Sequence, residues 1–298
     1  MPDIKAPIGD AHIDFPCTPS IAHPTQLPSS KIQSPDAPHP DSSSHLSTSR
    51  HPDPIYVYDG SYNGFLCCVF ESVYSRKMPF DIVTADNEPI TLYDKCSIFT
   101  DTEKAERVLK SIPKKISYEA LRLIETVFCS CMQQKELHML RFLIRGYRVG
   151  ARILKMLGDQ DVAPLLKAER HLLSEAHLLK GFIRFADYGG ALAGIITPKN
   201  YILPFIAKHF VQRYENEDFM IFDKTNKAAL VYHNRRSEII SVESIEFPPV
   251  SHEEGRYQTL WKRFYDTVAI ESRINPRCRM THMPKRYWEN MPEMQDQY

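Results

Sequence analysis

The chain has 298 residues, with 37 basic and 37 acidic side chains. This length suits one large domain or two small ones, and the neutral balance excludes a nucleic-acid binder that depends on a strong overall basic excess. No run of about 18 apolar residues occurs, and the N-terminus lacks the pattern of a signal peptide. We therefore expect a cytoplasmic protein without membrane contact.

Residues 1–54 have the composition of a disordered tail. They hold 11 of the 22 prolines and many serines, with little apolar periodicity. Such a segment buries too little apolar surface to offset the entropy lost on ordering. Residues 55–298 then contain 34 basic and 31 acidic side chains, and we interpret them as a single α+β domain.

Residues 55–180 predict a mainly helical half. A short strand at 56–58 precedes the turn signal Asp59-Gly60, and Ser61 is the N-cap candidate for a helix over 62–77. A strand is expected over 91–99. The apolar spacing then predicts helices over 103–111, 118–133, 135–157 and 162–180.

Residues 181–298 predict an antiparallel sheet of about five strands with flanking helices. A hairpin around Gly189-Gly190 joins the first two strands. The predicted strands are 181–188, 191–197, 219–222, 228–232 and 238–242, and the predicted helices are 201–214 and 257–270. Strands grouped after helices, without regular βαβ alternation, indicate an α+β fold.

The helix predicted over 135–157 carries a stripe of positive charge. Its members are Arg141, Arg145, Arg148, Arg152 and Lys155. At about 100° per residue they fall within an arc of roughly 80°, and like charges at this spacing destabilise a helix by roughly 0.2–0.5 kcal/mol per pair. Two interpretations remain open. Acids such as Asp159, Asp161 or Glu169 neutralise the stripe, or it follows a phosphate backbone.

A second basic segment covers residues 273–288 and contains no acid. Its cations are Arg273, Arg277, Arg279, Lys285 and Arg286, interleaved with His282, Tyr287 and Trp288. Pro276 and Pro284 favour an extended, exposed path. Arginine forks bind phosphates and aromatic rings stack on unpaired bases, so we expect both basic segments to meet in one DNA-binding surface. In the alternative, Trp288 packs on the core and the arginines pair with glutamates.

Catalytic and metal-binding motifs are mostly missing from the sequence. It has no GxGxxG, GxxxxGK[ST], HExxH or GxSxG pattern, and its seven cysteines include no CxxC pair. We expect buried thiols in a reducing compartment, no metal and no cofactor. The candidates for acid–base chemistry are His209, His282 and Asp59; His209 also fits a core position and Asp59 a turn. The sequence leaves open whether the protein is an enzyme.

Three blocks of the sequence carry a family resemblance. They are Tyr58-Asp59-Gly60-Ser61 with Gly64-Phe65-Leu66, then Gly181 to Phe185 with Ile202-Leu203-Pro204 and His209-Phe210, and finally Tyr257-Gln258-x-Leu260-Trp261 with Arg273-x-Asn275-Pro276-Arg277 and His282 to Trp288. Together they resemble a bacterial family described as "probable DNA metabolism protein", or DNA-repair-protein-like. Its members are typically encoded beside a radical-SAM protein assigned to DNA modification or repair, and some are fused to a uracil-DNA-glycosylase-like module.

The resemblance implies a DNA-binding accessory protein of DNA repair or modification, with DNA and a radical-SAM protein as partners. A nucleic-acid-processing enzyme, glycosylase-like or nuclease-like, and a protein–protein adaptor are the alternatives. The chain departs from the family pattern at Asn63, where members often have an acid. It departs again after Pro198, where many have Asp-His and this chain has Lys199-Asn200. If the family's activity depends on that histidine, this chain is inactive or differently tuned.

Overall fold

A computed structural model describes residues 53–297, apart from the side chains of Glu271, Asp296 and Gln297. The tail predicted over 1–54 therefore lies almost entirely outside the described residues. Across 53–297, no helix combines the length and the apolar character that crossing a membrane requires. The architecture is α+β, as the sequence predicts.

The described chain begins with a small parallel sheet and one helix. Strand β1 (Ile55–Tyr58) pairs in parallel with β2 (Asp81–Thr84) on one side and β3 (Lys95–Ser97) on the other. Helix α1 (Tyr62–Ser75) begins where the Ser61 hydroxyl accepts a hydrogen bond from the Gly64 N–H at 2.9 Å. The N-cap prediction at Ser61 is confirmed, whereas the sequence analysis missed β2.

Four helices follow and complete the first half. They are α2 (Thr102–Lys115), α3 (Tyr118–Phe128), α4 (Lys135–Val149) and α5 (Ala163–Phe182). Asp101 and Ser117 cap α2 and α3 through side-chain oxygens, as expected for these residue types. Their buried faces form a first hydrophobic core together with β1 and α1.

The second half is built around a five-stranded sheet. In sheet order its strands are β4 (Phe185–Asp187), β5 (Ala191–Ile196), β6 (Asp218–Asp223), β7 (Ala228–His233) and β8 (Arg236–Ser241). The hairpin around Gly189-Gly190 and the β6–β7–β8 meander are antiparallel, as predicted. The pair β5–β6 is parallel, so the purely antiparallel expectation is wrong there. Helix α6 (Leu203–Arg213) crosses between these two strands, and such a crossover permits parallel pairing.

Three predicted elements are shorter in the structure: α3 ends at Phe128 instead of 133, β3 covers only 95–97 of the predicted 91–99, and β4 begins at Phe185 instead of 181 because α5 continues to Phe182. Two further stretches differ because of local backbone signals. Helix α4 ends at Val149, since Gly150 has φ +66° and ψ −153°, and residues 150–155 form a 3₁₀ segment. After α7 (His252–Val268), helix α8 (Pro276–His282) replaces the predicted extended path. Asn275 caps α8, and proline is favourable in a first helical turn, where its missing N–H has no partner to lose.

Helix α5 connects the two cores. Its first half packs Leu165 and Ala168 into the first core, and its second half packs Leu172, Ala176 and Leu179 into the second. A helix of 20 residues is about 30 Å long. The two basic segments are attached at different points along this helix, which determines how far apart they lie.

The tight approach at Gly64 generates a stability prediction. A Cβ at this position would press against the Asp59 carboxylate and lie 2.9 Å from Thr100 Oγ1. We expect Gly64→Ala to lower the free energy of unfolding by about 1–3 kcal/mol, because the added methyl group has no room beside the Asp59 and Thr100 side chains at the start of α1. Gly255→Ala in α7 is the control, because nothing lies within 4 Å of its Cβ position. It should stabilise by about 0.5–1 kcal/mol, as measured by urea denaturation. Equal effects of both variants would contradict the steric explanation.

Candidate functional site

Four cations of the predicted stripe form an exposed surface on α4 and the 3₁₀ segment that follows. This surface, which we call the α4 basic surface, consists of Arg141, Arg148, Arg152 and Lys155. Phe142, Leu143 and Ile153 are fully buried between them and fix their outward direction. Within residues 53–297 none of the four cations has a carboxylate partner.

The α4 basic surface continues onto the end of α2. The Ser111 and Tyr147 hydroxyl oxygens are 2.7 Å apart, and Lys115 Nζ lies 5.7 Å from the centroid of the Tyr147 ring. The Lys115 carbonyl is 3.8 Å from the Cβ position of Gly150. The last turn of α2, with Lys114 and Lys115 exposed, therefore adds positive charge where α4 ends.

Arg145, the fifth member of the predicted stripe, is neutralised by the fold. Its Nη2 lies 2.7 Å from Asp159 Oδ2 and its Nη1 lies 3.4 Å from Asp161 Oδ2. The guanidinium is partly buried in this arrangement. For Arg145, the structure therefore agrees with the alternative in which nearby acids neutralise the stripe. This side chain holds the loop before α5 in place.

The C-terminal basic segment divides into exposed and anchored residues. Arg273, Arg277 and Lys285 are exposed. Arg286 Nη2 donates to Glu175 at 2.8 Å, and the Arg279 guanidinium carbon lies 5.2 Å from the Trp288 ring centroid. Arg273 and Arg277 remain available to a ligand, and Lys285 is exposed with its Nζ 5.7 Å from the centroid of the Trp288 ring. Arg279 and Arg286 hold the segment to the protein.

The rings of Tyr287 and Trp288 are each only 2% exposed. The indole N–H donates to the Met283 carbonyl at 3.0 Å, and Tyr287 packs 5.6 Å from the Phe182 ring centroid. Rings packed in this way have no free face to stack on a base. Trp288 therefore packs on the core, as in the alternative prediction. The prediction that Tyr287 and Trp288 stack on bases is wrong.

The two basic segments are anchored at separate places. Arg145 is paired beside the N-terminus of α5, and Arg286 is paired with Glu175 further along the same helix. From Ala163 to Glu175 the helix rises by about 18 Å at 1.5 Å per residue. The expectation of one merged surface is therefore wrong for these two arginines, which are paired with acids at different places along the chain.

Near the anchor of the C-terminal segment lies a buried polar centre that the sequence analysis missed. The Glu175 carboxylate is 2% exposed. It accepts hydrogen bonds from the Asn200 N–H at 2.8 Å, the Asn200 side chain at 2.6 Å, the Tyr287 hydroxyl at 3.0 Å and the Lys199 N–H at 3.1 Å, besides Arg286. Burial acts to raise the pKa of Glu175, but these donors together lower it below the ordinary value. Glu175 is therefore held as a carboxylate.

Asn200 extends this centre towards the first core. Its Oδ1 accepts from the Cys131 N–H at 2.9 Å, and its Nδ2 lies 3.1 Å from Nδ1 of His171. Many members of the family that the sequence resembles have histidine where Asn200 stands. In this chain the buried Asn200 amide connects its own loop with the Cys131 backbone and with His171 and Glu175 on α5, so its role is structural. The Lys199-Asn200 departure was the one sequence signal that pointed to this place.

Asp223 is a second buried acid, close to the first. It is 0% exposed and accepts hydrogen bonds from the Thr225 N–H at 3.0 Å, the Asn226 N–H at 3.0 Å and the Asn226 side chain at 2.7 Å. Burial raises the pKa of Asp223 from its ordinary value of 3.8 to about 6, against the effect of these donors, and the neighbouring Glu175 charge adds to the rise.

The three candidates for acid–base chemistry lie on different elements. Asp59 accepts from Ser61 N–H at 2.9 Å and from the Ser61 and Thr100 hydroxyls at 2.7 Å each, so it holds the turn before α1. His209 is half-buried on α6, where burial lowers its pKa with help from Lys180 and Arg213. His282 is exposed on α8, with Nδ1 3.0 Å from the Cys278 carbonyl oxygen. Among residues 53–297, no three His, Cys, Asp or Glu side chains form a metal-binding group.

A family model for a domain of unknown function, DUF4130, matches residues 133–293, which is more than half of the chain. The chain belongs to the DUF4130 family. The matched region begins just before α4 and contains both basic segments and the Glu175 centre, but not the three-stranded sheet. A search of curated proteins found no match.

Among solved structures, the chain is similar to a pGpG-specific phosphodiesterase, PggH from Vibrio cholerae. The identity is 12%, the match covers 60% of this chain and 81% of that chain, and the TM-score is 0.26. A TM-score this low says nothing about the fold or the function of the DUF4130 protein.

The crowded carboxylate of Glu175 predicts a large effect of one substitution. In Glu175→Gln the Arg286 charge loses its partner and an amide N–H₂ faces other donors. We expect the free energy of unfolding to fall by about 3–5 kcal/mol. Glu169→Gln is the control on the same helix. Glu169 is half-buried, and burial raises its pKa, so its environment does not favour the charged form as that of Glu175 does. It should change stability by less than about 0.5 kcal/mol. Guanidinium denaturation measures both, and a loss below about 1 kcal/mol for Glu175→Gln would contradict this role.

The raised pKa of Asp223 predicts how stability depends on pH. Between the ordinary pKa of 3.8 and about 6, the folded protein keeps this proton while the unfolded chain loses it. The contribution of Asp223 to stability is thus full below pH 3.8 and is lost as the pH rises through about 6; the total is about 3 kcal/mol.

The Asp223→Asn variant has no carboxyl group at this position and therefore cannot gain or lose this proton. The stability difference, wild type minus variant, should therefore fall as pH rises over this window. The pKa of Glu175 lies below its ordinary value of 4.5, so the part of the change that occurs above this pH comes from Asp223. Urea titrations at a series of pH values give this difference, and a flat difference would show that Asp223 is not perturbed.

Proposed function

We propose that this DUF4130 protein binds the phosphate backbone of DNA through the α4 basic surface, as an accessory protein of DNA repair or modification. The observation that supports this most is the contrast within one stripe. Arg145 is neutralised by Asp159 and Asp161, while its four neighbours are exposed without a carboxylate partner among residues 53–297. An unneutralised row of cations gains binding free energy by releasing counterions from DNA.

The spacing of these cations suits a nucleic-acid strand. Arg141 and Arg148 lie about 10 Å apart along α4 at 1.5 Å per residue. Over that length one strand of B-DNA presents about three phosphates, at 3.4 Å each. Arginine matches phosphate oxygens through its planar fork, so each of these two side chains is suited to bind one phosphate.

The exposed residues of the C-terminal segment provide a second, separate contact in this proposal. Arg273, Arg277 and Lys285 are the members that remain accessible. Arg279, Arg286, Tyr287 and Trp288 hold the segment in place and are not assigned DNA contacts. The proposed binding is therefore to the backbone and is independent of base sequence, because phosphate contacts carry no sequence information.

The resemblance to the DNA-repair-protein-like family supports the biological context. On that basis we extend the proposal to a radical-SAM protein as a companion in the cytoplasm. Binding is favoured over chemistry because Asp59, His209 and His282 lie on separate elements, and Asp59 is occupied by the turn that it holds.

Fluorescence anisotropy over a salt series tests the α4 basic surface. For wild type, the logarithm of the affinity for duplex DNA should fall linearly with the logarithm of salt concentration. Arg148→Gln/Arg152→Gln removes two contacts and should reduce the slope by about 1.8 units, at about 0.9 per phosphate. Lys208→Gln/Arg213→Gln on α6 is the matched control, with the same change in charge at exposed positions, and should leave the slope unchanged.

Two results would overturn the proposal. One is a wild-type protein that does not bind duplex or single-stranded DNA at low salt. The other is an equal loss of slope in both double variants, which would show that overall charge rather than the α4 basic surface determines binding.

A further inference from the structure

Helix α7 carries an exposed apolar stripe that the proposed function does not use. It consists of Tyr257, Leu260, Trp261, Phe264 and Val268, whose exposed fractions range from 41% for Trp261 to 61% for Tyr257. At about 100° per residue these side chains lie within an arc of roughly 100°. A helix of a soluble protein normally buries such a face against its own core.

The packed face of α7 is a different one. Glu254 is buried, and its carboxylate accepts from the Asp187 N–H at 3.2 Å and from the Gln258 side chain at 2.9 Å. Tyr265 packs against the second core. These three residues centre about 80° away from the apolar stripe around the helix axis. The orientation of α7 is thus fixed by contacts that leave most of the stripe outside. At its edge the Arg184 guanidinium carbon lies 5.5 Å from the centroid of the Trp261 ring.

The stripe has the size of a dimer interface. Its exposed area is about 600 Å², because three aromatic side chains of about 150–250 Å² each and two aliphatic side chains are all roughly half exposed. The largest apolar patch of a typical monomer is about 300–600 Å². An interface of standard size buries about 800 Å² per partner, and a homodimer interface is about 65% apolar. One α7 stripe therefore supplies the apolar part of such an interface.

Four of the five side chains have a symmetric order along the helix, whereas the fifth, Val268, is opposite Glu253 in this register. Tyr257 and Phe264 lie three residues outside the central pair Leu260 and Trp261, on either side. In an antiparallel contact between two copies of α7, Tyr257 faces Phe264 of the second copy and Leu260 faces its Trp261. A twofold interface requires this kind of self-complementary surface. Glu253 lies within the arc of the stripe, at the end of the contact opposite Val268 of the second copy. The charges of Lys262, Arg263 and Asp266 lie roughly 110° or more from the centre of the stripe and stay outside the contact.

We propose that the α7 stripe is a homodimer interface in which the second copy of this chain packs its own α7 antiparallel to the first. The occupant is a second copy because the order of the four central residues is complementary to itself, and because the exposed area of about 600 Å² covers the apolar share of about 800 Å² per partner. The proposal does not depend on DNA binding.

Size-exclusion chromatography with light scattering tests this on the full chain. At micromolar concentration the wild type should elute with twice the chain mass of 34.5 kDa. Tyr257→Lys and Phe264→Glu should each be monomeric. Thr259→Glu is the control, because it introduces the same charge at an exposed position about 160° from the stripe and should remain dimeric. Circular dichroism and thermal unfolding establish that each variant is folded.

A mixture of the two monomeric variants tests the antiparallel register. In the heterodimer the ammonium introduced at position 257 of one chain faces the carboxylate introduced at position 264 of the other, while the second Tyr257–Phe264 contact is unchanged. Equimolar mixing should therefore restore the dimer. The proposal is overturned by a monomeric wild type, which would leave the stripe for a different partner, by dimeric single variants, or by a mixture that stays monomeric.

Discussion

The arrangement of the second half depends on one buried charge, the Glu175 carboxylate. An ionised group that loses water must recover its solvation from hydrogen-bond donors, or its burial costs several kcal/mol. The donors come from Lys199 and Asn200 in the loop after β5 and from Arg286 and Tyr287 more than 100 residues along the chain. Because a single carboxylate needs all of them, the position of the C-terminal segment is fixed relative to α5.

This constraint explains which parts of the C-terminal segment remain accessible. Arg286 is used by Glu175, and the adjacent Tyr287 and Trp288 are drawn into the second core. Arg184 is similarly held by the buried Glu293, with Nη2 2.7 Å from its carboxylate. Cations paired with buried acids are part of the fold. Only cations outside these pairs, such as Arg273 and Arg277, can exchange water for a phosphate without leaving a buried charge unpaired.

The sequence predicted well those features that local interactions determine. Ser61 as an N-cap, the turn at Gly189-Gly190 and the helix and strand types follow from short-range patterns. The parallel β5–β6 pairing depends on α6 crossing over the sheet, and β2 is only four residues long, so neither had a clear local signal. At the candidate site, the sequence identified the cations but could not decide which of them are neutralised. Arg145 meets two aspartates through a loop, and Arg286 meets an acid 111 residues away.

The acids that neutralise Arg145 also limit the α4 basic surface. Asp159 and Asp161 place two carboxylates beside one guanidinium, so that local region carries net negative charge. A phosphate approaching Arg145 would be repelled, whereas Tyr147 and Gly150, on either side of Arg148, lie beside Lys115 at the end of α2. In the proposed complex, the DNA strand therefore leaves α4 on the side of α2. If two chains pair through α7, each dimer holds two such surfaces, and the second contact with a long DNA becomes intramolecular. The avidity for a long DNA would then depend on α7. The number of phosphates that each chain contacts would not depend on α7, so substitutions in α7 should lower the avidity and leave the salt slope per chain unchanged.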